Sequence, residues 1–395
     1  MPAVGPAERT SLHTASRFPF IIRNWSLIMS HNVEFLWYIP NDIKAGHRGD
    51  ISADGQNSLD TLTLQAKALE EHGWKGALIG TGWGRPDTFT LATALVARTT
   101  TFEPLIAVRP GYWKPANFAS AAATLDQFSG GRVRVNVVSG LDELAAYGDS
   151  EGNQAQRYAR TKEFMRLTRR LWTEENVTFN GDYFEVAGST VAPRLEARGS
   201  RLHPKLYFGG ASQAAEEVAA TEADVQMFWG EPLESLQARI ERLKSLSQSL
   251  ERDLAPLEFG LRITTLVRDT TSDAWADAET KVAKMAEGRA GSWQDHRHAV
   301  AVGQQRLLDL ANRGDVLDDN LYTAPGKFGG GGAGTTWLVG SPEDVASALL
   351  KYQSLGITHF VLSDTPYLSE IRRQGDQLLP LIRQKTEAQV PRRSS

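Results

Sequence analysis

From Val33 onward the chain alternates short apolar runs, rich in β-branched and aromatic residues, with longer amphipathic stretches. Repeated βα units of this kind call for a parallel sheet, because each crossover helix must cover a face of the strands it joins. Eight runs carry the pattern: Val33–Ile39, Gly76–Ile79, Pro104–Val108, Val133–Val138, Lys205–Phe208, Val225–Trp229, Phe259–Val267 and His359–Leu362. Several are continuously hydrophobic, as strands buried on both faces are. Eight units predict an α/β chain closed into a (β/α)8 TIM barrel with insertions. An open doubly wound sheet would normally place a glycine fingerprint after its first strand, and Pro40-Asn41-Asp42 stands there instead.

Local signals bound the helices. One runs from Ser58 to His72 and stops at Gly73, another from Pro115 to Phe128 stops before Gly130-Gly131, and Ser341-Pro342-Glu343-Asp344 reads as an N-cap with proline in the first turn. Two insertions interrupt the repeat. Val177 to Val186 has strand-like flanks around Asn180-Gly181, a hairpin signal. The stretch 288–336 shows no clear strand, ends in Gly329 to Gly332 and Gly334, and is expected to form a mobile lid. Residues 1–32 carry Arg9, Arg17 and Arg23 without a proper cleavage site, so they read as a flexible leader ahead of a single barrel over 33–390.

Charge and composition narrow the function classes. A net charge of -4 offers no basic field for nucleic acid or anionic lipid. No apolar run approaches the ~20 residues that span a bilayer, and a cytoplasmic location is expected. Zero cysteines exclude disulfides, thiolate metal sites and a cysteine nucleophile. His296 and His298 are only two apart and no carboxylate cluster has ligand spacing, so no metal is expected.

Function in such barrels gathers at the carboxyl ends of the strands. The run Leu257 to Asp269 places Arg262 in the middle of an apolar strand. A buried guanidinium must meet an anion, either an internal acid or a ligand such as a carboxylate, phosphate or sulfonate. Ser139-Gly140 after the fourth strand and Gly209-Gly210-Ala211-Ser212 after the fifth can offer backbone N–H groups and hydroxyls to a phosphate. Together they suggest a phosphorylated cofactor.

Several stretches in order resemble the bacterial-luciferase superfamily, and within it the FMNH2-dependent alkanesulfonate monooxygenases: Ala121 to Arg132, Gln156-Arg157-Tyr158, Leu206 to Gly210, Trp229-Gly230-Glu231-Pro232, Phe259 to Arg262, Val302 to Arg306 and Phe360 to Ser363. The similarity covers about residues 33 to 385. It implies a luciferase-like barrel whose cofactor is reduced FMN, with O2 as co-substrate and a separate NAD(P)H-dependent flavin reductase as partner. Ser139, Gly140, Tyr158, Gly210, Ala211 and Ser212 would hold the FMN. Arg262 and Trp229 would sit in a sulfonate pocket, with Arg306 on the closing insertion. A homodimer or homotetramer is also implied.

The chain departs from that pattern where the family carries its acid–base groups. Arg262-Ile263-Thr264 replaces Arg-x-His, Thr365-Pro366-Tyr367 replaces Tyr-Pro-His, and Arg85 stands in place of a cysteine. Tyr367 is therefore the candidate catalytic phenol, beside Arg262 and Arg306; Asp42, His47 and His359 are further candidates. Trp83, Arg85, Asp364, Thr264 and Thr365 would make the pocket polar, which suits a hydroxylated sulfonate better than an alkyl chain. The loop Gly80 to Asp87 resembles that of sulfoquinovose monooxygenases, which implies release of sulfite and 6-oxoglucose. Alkanesulfonate or dimethyl sulfone oxygenation is the neighbouring alternative, and a luciferase-like flavin-binding protein without turnover the non-enzymatic one.

Overall fold

The computed structural model describes residues 33–40, 57–140, 144–149, 152–289, 301–329 and 333–388. The expected leader, Asp42, His47, His296, His298 and the glycines 330–332 lie outside the described residues. Eight parallel strands close on themselves: β1 Glu34–Ile39, β2 Gly76–Ile79, β3 Glu103–Val108, β4 Arg134–Val137, β5 Leu206–Gly209, β6 Val225–Trp229, β7 Glu258–Val267 and β8 Ile357–Ser363. They coincide with the eight runs read from the sequence, within a few residues at the ends. Helices cover the outside, and their caps follow the local signals. Ser58 accepts from the Thr61 amide at 3.1 Å, Gly130 ends the Pro115–Ser129 helix at φ 64°, and Ser341 and Asp344 form a capping box.

Alternation along β1 shows how one strand serves two environments. Phe35, Trp37 and Ile39 point outward into the main core beneath the helices. Glu34, Leu36 and Tyr38 point into the lumen, where Leu36 packs with Leu105, Tyr207, Val225, Met227 and Val361. The lumen thus has an apolar middle between two polar ends.

The insertions are more regular than expected. The hairpin pairs Val177–Asn180 with Glu185–Ser189, so its loop is longer than the two-residue turn that Asn-Gly suggests. Between 288 and 336 the absence of strands needs correction. Val316–Leu317 and Leu321–Tyr322 pair antiparallel and continue onto Trp337–Gly340, which lies parallel to the far end of β7. Two-residue strands carry no periodicity to read. The first of two long helices there, Thr271–Arg289, overlaps the start of the insertion, and the second spans Val302–Arg313.

The amino-terminal end of the barrel is closed by a charge network. Arg134 reaches Glu34, Glu103 and the Tyr207 hydroxyl. His359 lies 3.0 Å from Glu34 and Tyr207 and 2.6 Å from Glu258. His359 is therefore a satisfied floor residue, at the end opposite the carboxyl termini of the strands. Burial works to raise the Glu258 carboxyl, but the His359 hydrogen bond and the nearby charges of His359 and Lys205 outweigh it and hold the group down at about 2. Burial likewise opposes ionisation of Glu34, yet His359 and Arg134 keep its carboxyl well below the usual range.

A carboxylate whose pKa is depressed on folding stabilises the fold above its unfolded pKa and loses that contribution as pH falls through the folded value. Thermal unfolding should accordingly be flat down to about pH 5, with Tm then falling steadily toward pH 2. Arg134→Met should destabilise the protein by about 3 kcal/mol in urea titrations, because Glu34, Glu103 and the Tyr207 hydroxyl lose the guanidinium they share. A loss below ~1 kcal/mol would show that the floor network carries little of the stability.

Candidate active site

The carboxyl ends of the strands open into a cavity of about 850 Å³. Its wall takes Tyr38 from β1, Asn136 and Val137 from β4, Met227 to Trp229 from β6 and Arg262 from β7. All six expected cofactor residues line it. Ser139 and Gly140 follow β4, Tyr158 lies in the second turn of the Gln154–Thr173 helix, and Gly210, Ala211 and Ser212 lead from β5 into the Gln213–Glu222 helix. The Ser139 hydroxyl is 2.6 Å from Thr161 Oγ1, and Ser212 caps its helix by accepting from Ala215 at 3.3 Å. At Gly210 a Cβ would lie 2.4 Å from that of Ala215 and 3.6 Å from the Tyr158 hydroxyl, so the turn packs tightly on its helix. At Gly140 a Cβ would meet nothing within 4 Å, leaving open space on the cavity side.

Arg262 is 5% exposed and faces the same cavity, in register between Trp229 on β6 and Val361 on β8. Its guanidinium donates to the carbonyl of Ile263 at 3.0 Å and to the Ser363 hydroxyl at 2.9 Å, and lies over the Tyr38 ring at 4.5 Å from the centroid. Trp229 lines the cavity as expected. A Cβ at Gly303 would lie 3.1 Å from the indole, so glycine lets the Val302–Arg313 helix close onto it. Arg85 reaches the wall from the β2 loop.

The other expected substrate residues are placed elsewhere. Trp83 is half exposed on the rim and packs edge-on against Tyr147. Thr264 is buried, with Oγ1 3.3 Å from the carbonyl of Gly334, which lines the cavity. Arg306 is ion-paired with Glu231, which does line the cavity. Tyr367 begins the last helix with its ring in the main core, and Thr365 is fully buried. The turn after β8 faces a buried ion cluster: Lys281 reaches Asp364 at 2.9 Å and the Thr365 carbonyl at 2.6 Å, and Arg268 adds Asp364 and Glu370. The polarity of Asp364 and Thr365 serves that cluster instead of the cavity.

Sequence reading passed over Tyr38, Arg157, Glu231 and Arg239. Glu231 divides its carboxylate between Arg306 and Arg239, and Arg239 also donates to the Gly210 carbonyl at 3.0 Å. Burial pulls the Arg239 guanidinium below its usual pKa against the opposing charge of Glu231. A signal existed for Arg157: it is the cation inside the Gln156-Arg157-Tyr158 motif, and a phosphate needs one. Among the described residues, the wall carries Arg85, Arg157, Arg239 and Arg262 against the single carboxylate of Glu231. A partly desolvated cavity with this excess of guanidinium is built for anions.

The profile of the luciferase-like monooxygenases matches residues 33–359. Among solved structures, a riboflavin lyase is similar over 90% of this chain and 92% of its own, at 18% identity and a TM-score of 0.72. DmoA from Hyphomicrobium sulfonivorans is 18% identical over 90% and 89% of the two chains, with a TM-score of 0.71. An EDTA monooxygenase from Chelativorans sp. BNC1 is 16% identical over 90% and 94%, also at 0.71. These likenesses establish a shared fold, and the profile match over most of the chain establishes kinship: the protein belongs to the luciferase-like monooxygenase family.

Proposed function

We propose that this chain is the oxygenase of a two-component system that cleaves the C–S bond of a hydroxylated organosulfonate, with sulfoquinovose as the preferred substrate. The observation that carries the reading is Arg262, a buried guanidinium facing the same cavity as the phosphate-type turns after β4 and β5. An enzyme that must hold two anions, a cofactor phosphate and a sulfonate, needs cations at two separate places in one enclosure.

The residues present fit FMN. Ser139, Gly140, Tyr158, Gly210, Ala211 and Ser212 would hold its phosphate with Arg157, whose buried Nε has no partner among the described residues. The start of the Gln213–Glu222 helix adds its dipole. When bound, reduced FMN supplies the two electrons with which O2 is activated. The overall change balances as R–CH2–SO3− + O2 + FMNH2 giving R–CHO, HSO3−, FMN and H2O. For sulfoquinovose the aldehyde is 6-oxoglucose, and a separate NAD(P)H-dependent reductase returns the flavin to its reduced form.

The chain's own contribution is binding, orientation and exclusion of water. Arg262 takes the sulfonate and offsets its charge, while Trp229 and Met227 wall the carbon side. The Val302–Arg313 helix, whose first residues line the cavity, covers that side of the opening, with Arg306 anchored on Glu231. In that arrangement Arg306 acts through Glu231 and Tyr367 supports the core, so neither is assigned to proton transfer.

Incubated with FMN, NADH, a generic flavin reductase and air, the protein should release sulfite from sulfoquinovose ahead of methanesulfonate, octanesulfonate and dimethyl sulfone. Preference for a simple alkanesulfonate would keep the chemistry and remove the polar-pocket reading. Arg262→Ala should lower kcat/KM for sulfite release by about a hundredfold or more, the expected loss when the partner of a bound anion is deleted. FMN affinity, followed by fluorescence quenching, should change by less than about threefold, since the phosphate turns lie on other strands. A variant with near wild-type sulfite yield would take Arg262 out of the site.

A further inference from the structure

Tyr38 joins the two arginines that reach the cavity from opposite sides of β1. Its hydroxyl accepts from Arg85 Nη1 at 3.4 Å, and the Arg262 guanidinium lies over its ring at 4.5 Å. The same Arg85 nitrogen donates to the Pro40 carbonyl at 2.6 Å. Gly80, just past β2, completes the fit. A Cβ there would lie 2.8 Å from the Tyr38 hydroxyl, 3.3 Å from Arg85 Nη1 and 3.4 Å from the Pro40 carbonyl. Only glycine leaves room for the phenol and the guanidinium together.

This packing has a chemical consequence. A carbonyl and a phenol fix the direction of Arg85 without cancelling its charge, and the planar fork of a guanidinium then presents its remaining donors in one set plane. One rigid ring holds Arg262 by its face and Arg85 by its hydroxyl. The spacing between the two cations is therefore set by covalent geometry and not by two flexible side chains.

We infer that Tyr38 is the specificity-determining positioning residue of this site: it sets Arg85 at a fixed distance from Arg262 so that the cavity reads two points, a sulfonate at one end and hydroxyl oxygens at the other. The inference rests on the sulfonate reading above and names the substrate class within it, a polyhydroxylated organosulfonate. An alkyl chain of similar length leaves the Arg85 donors unsatisfied once water is expelled, and a hydrogen-bonding site discriminates strongly against an analogue that lacks the group it reads.

The test compares kcat/KM for sulfite release from sulfoquinovose and from octanesulfonate in the wild type, Tyr38→Phe, Gly80→Ala and Arg85→Gln. Tyr38→Phe keeps the ring under Arg262 and removes the acceptor that aims Arg85. The ratio of the two specificity constants should fall at least about tenfold. The change should lie in KM for sulfoquinovose, with kcat held within about twofold, because no bond-making group is touched. Gly80→Ala should move the ratio in the same direction by displacing the phenol, and Arg85→Gln should reproduce it on a partly exposed side chain whose loss the fold tolerates. Unchanged ratios in Tyr38→Phe and Arg85→Gln, with FMN binding intact, would overturn the assignment while leaving the sulfonate reading standing. If the wild type releases sulfite from neither compound, the sulfonate reading fails and this inference with it.

Discussion

The placement of charge inside a closed barrel is the constraint on which the rest of this structure depends. At the floor every charge has a partner within the protein: Arg134 is held by Glu34 and Glu103, and His359 by Glu34 and Glu258. Among the described residues, the wall at the mouth carries four arginines and one carboxylate. Leu36, Leu105, Met227 and Val361 separate the two ends, so the floor's carboxylates do not reach the mouth to neutralise it.

Few residues connect the turn after β5 with the Val302–Arg313 helix. Glu231 follows β6 directly, binds Arg306 on the Val302–Arg313 helix, and binds Arg239, which touches the Gly210 carbonyl. The other shoulder of the cavity is organised around Tyr38. Both hubs are buried or half-buried groups with two cationic partners each. Close packing surrounds them: an added methyl at Gly80 would meet the Tyr38 hydroxyl, one at Gly210 the Ala215 side chain and one at Gly303 the Trp229 indole.

Much of this was legible in the chain itself, and the exceptions have physical reasons. Parallel strands buried on both faces write continuous apolar runs, which is why all eight barrel strands could be read. Arg262 stood out because a cation in such a run is costly, and the glycine and serine turns after β4 and β5 announce themselves by composition. Tyr38 and Glu231 could not be found this way. Their meaning lies in contacts with Arg85, Arg262, Arg239 and Arg306, all but Arg239 tens of residues or more away, and a tyrosine near the end of a strand is ordinary. Thr365 and Tyr367 show the converse: polar residues after a strand signal proximity to the mouth but not the side to which they turn. The ion cluster of Arg268, Lys281, Asp364 and Glu370 captured that end of β8. The strands at 316–322 were too short to leave a pattern.

The most direct test of the account is a crystal structure of the protein with FMN and sulfoquinovose bound together. The account predicts the phosphate on the turns carrying Ser139 and Ser212, beside Arg157, with the sulfonate oxygens in hydrogen-bond distance of Arg262 and a sugar hydroxyl on Arg85. A sulfonate bound away from Arg262, or a flavin phosphate seated elsewhere than on those turns, would contradict it.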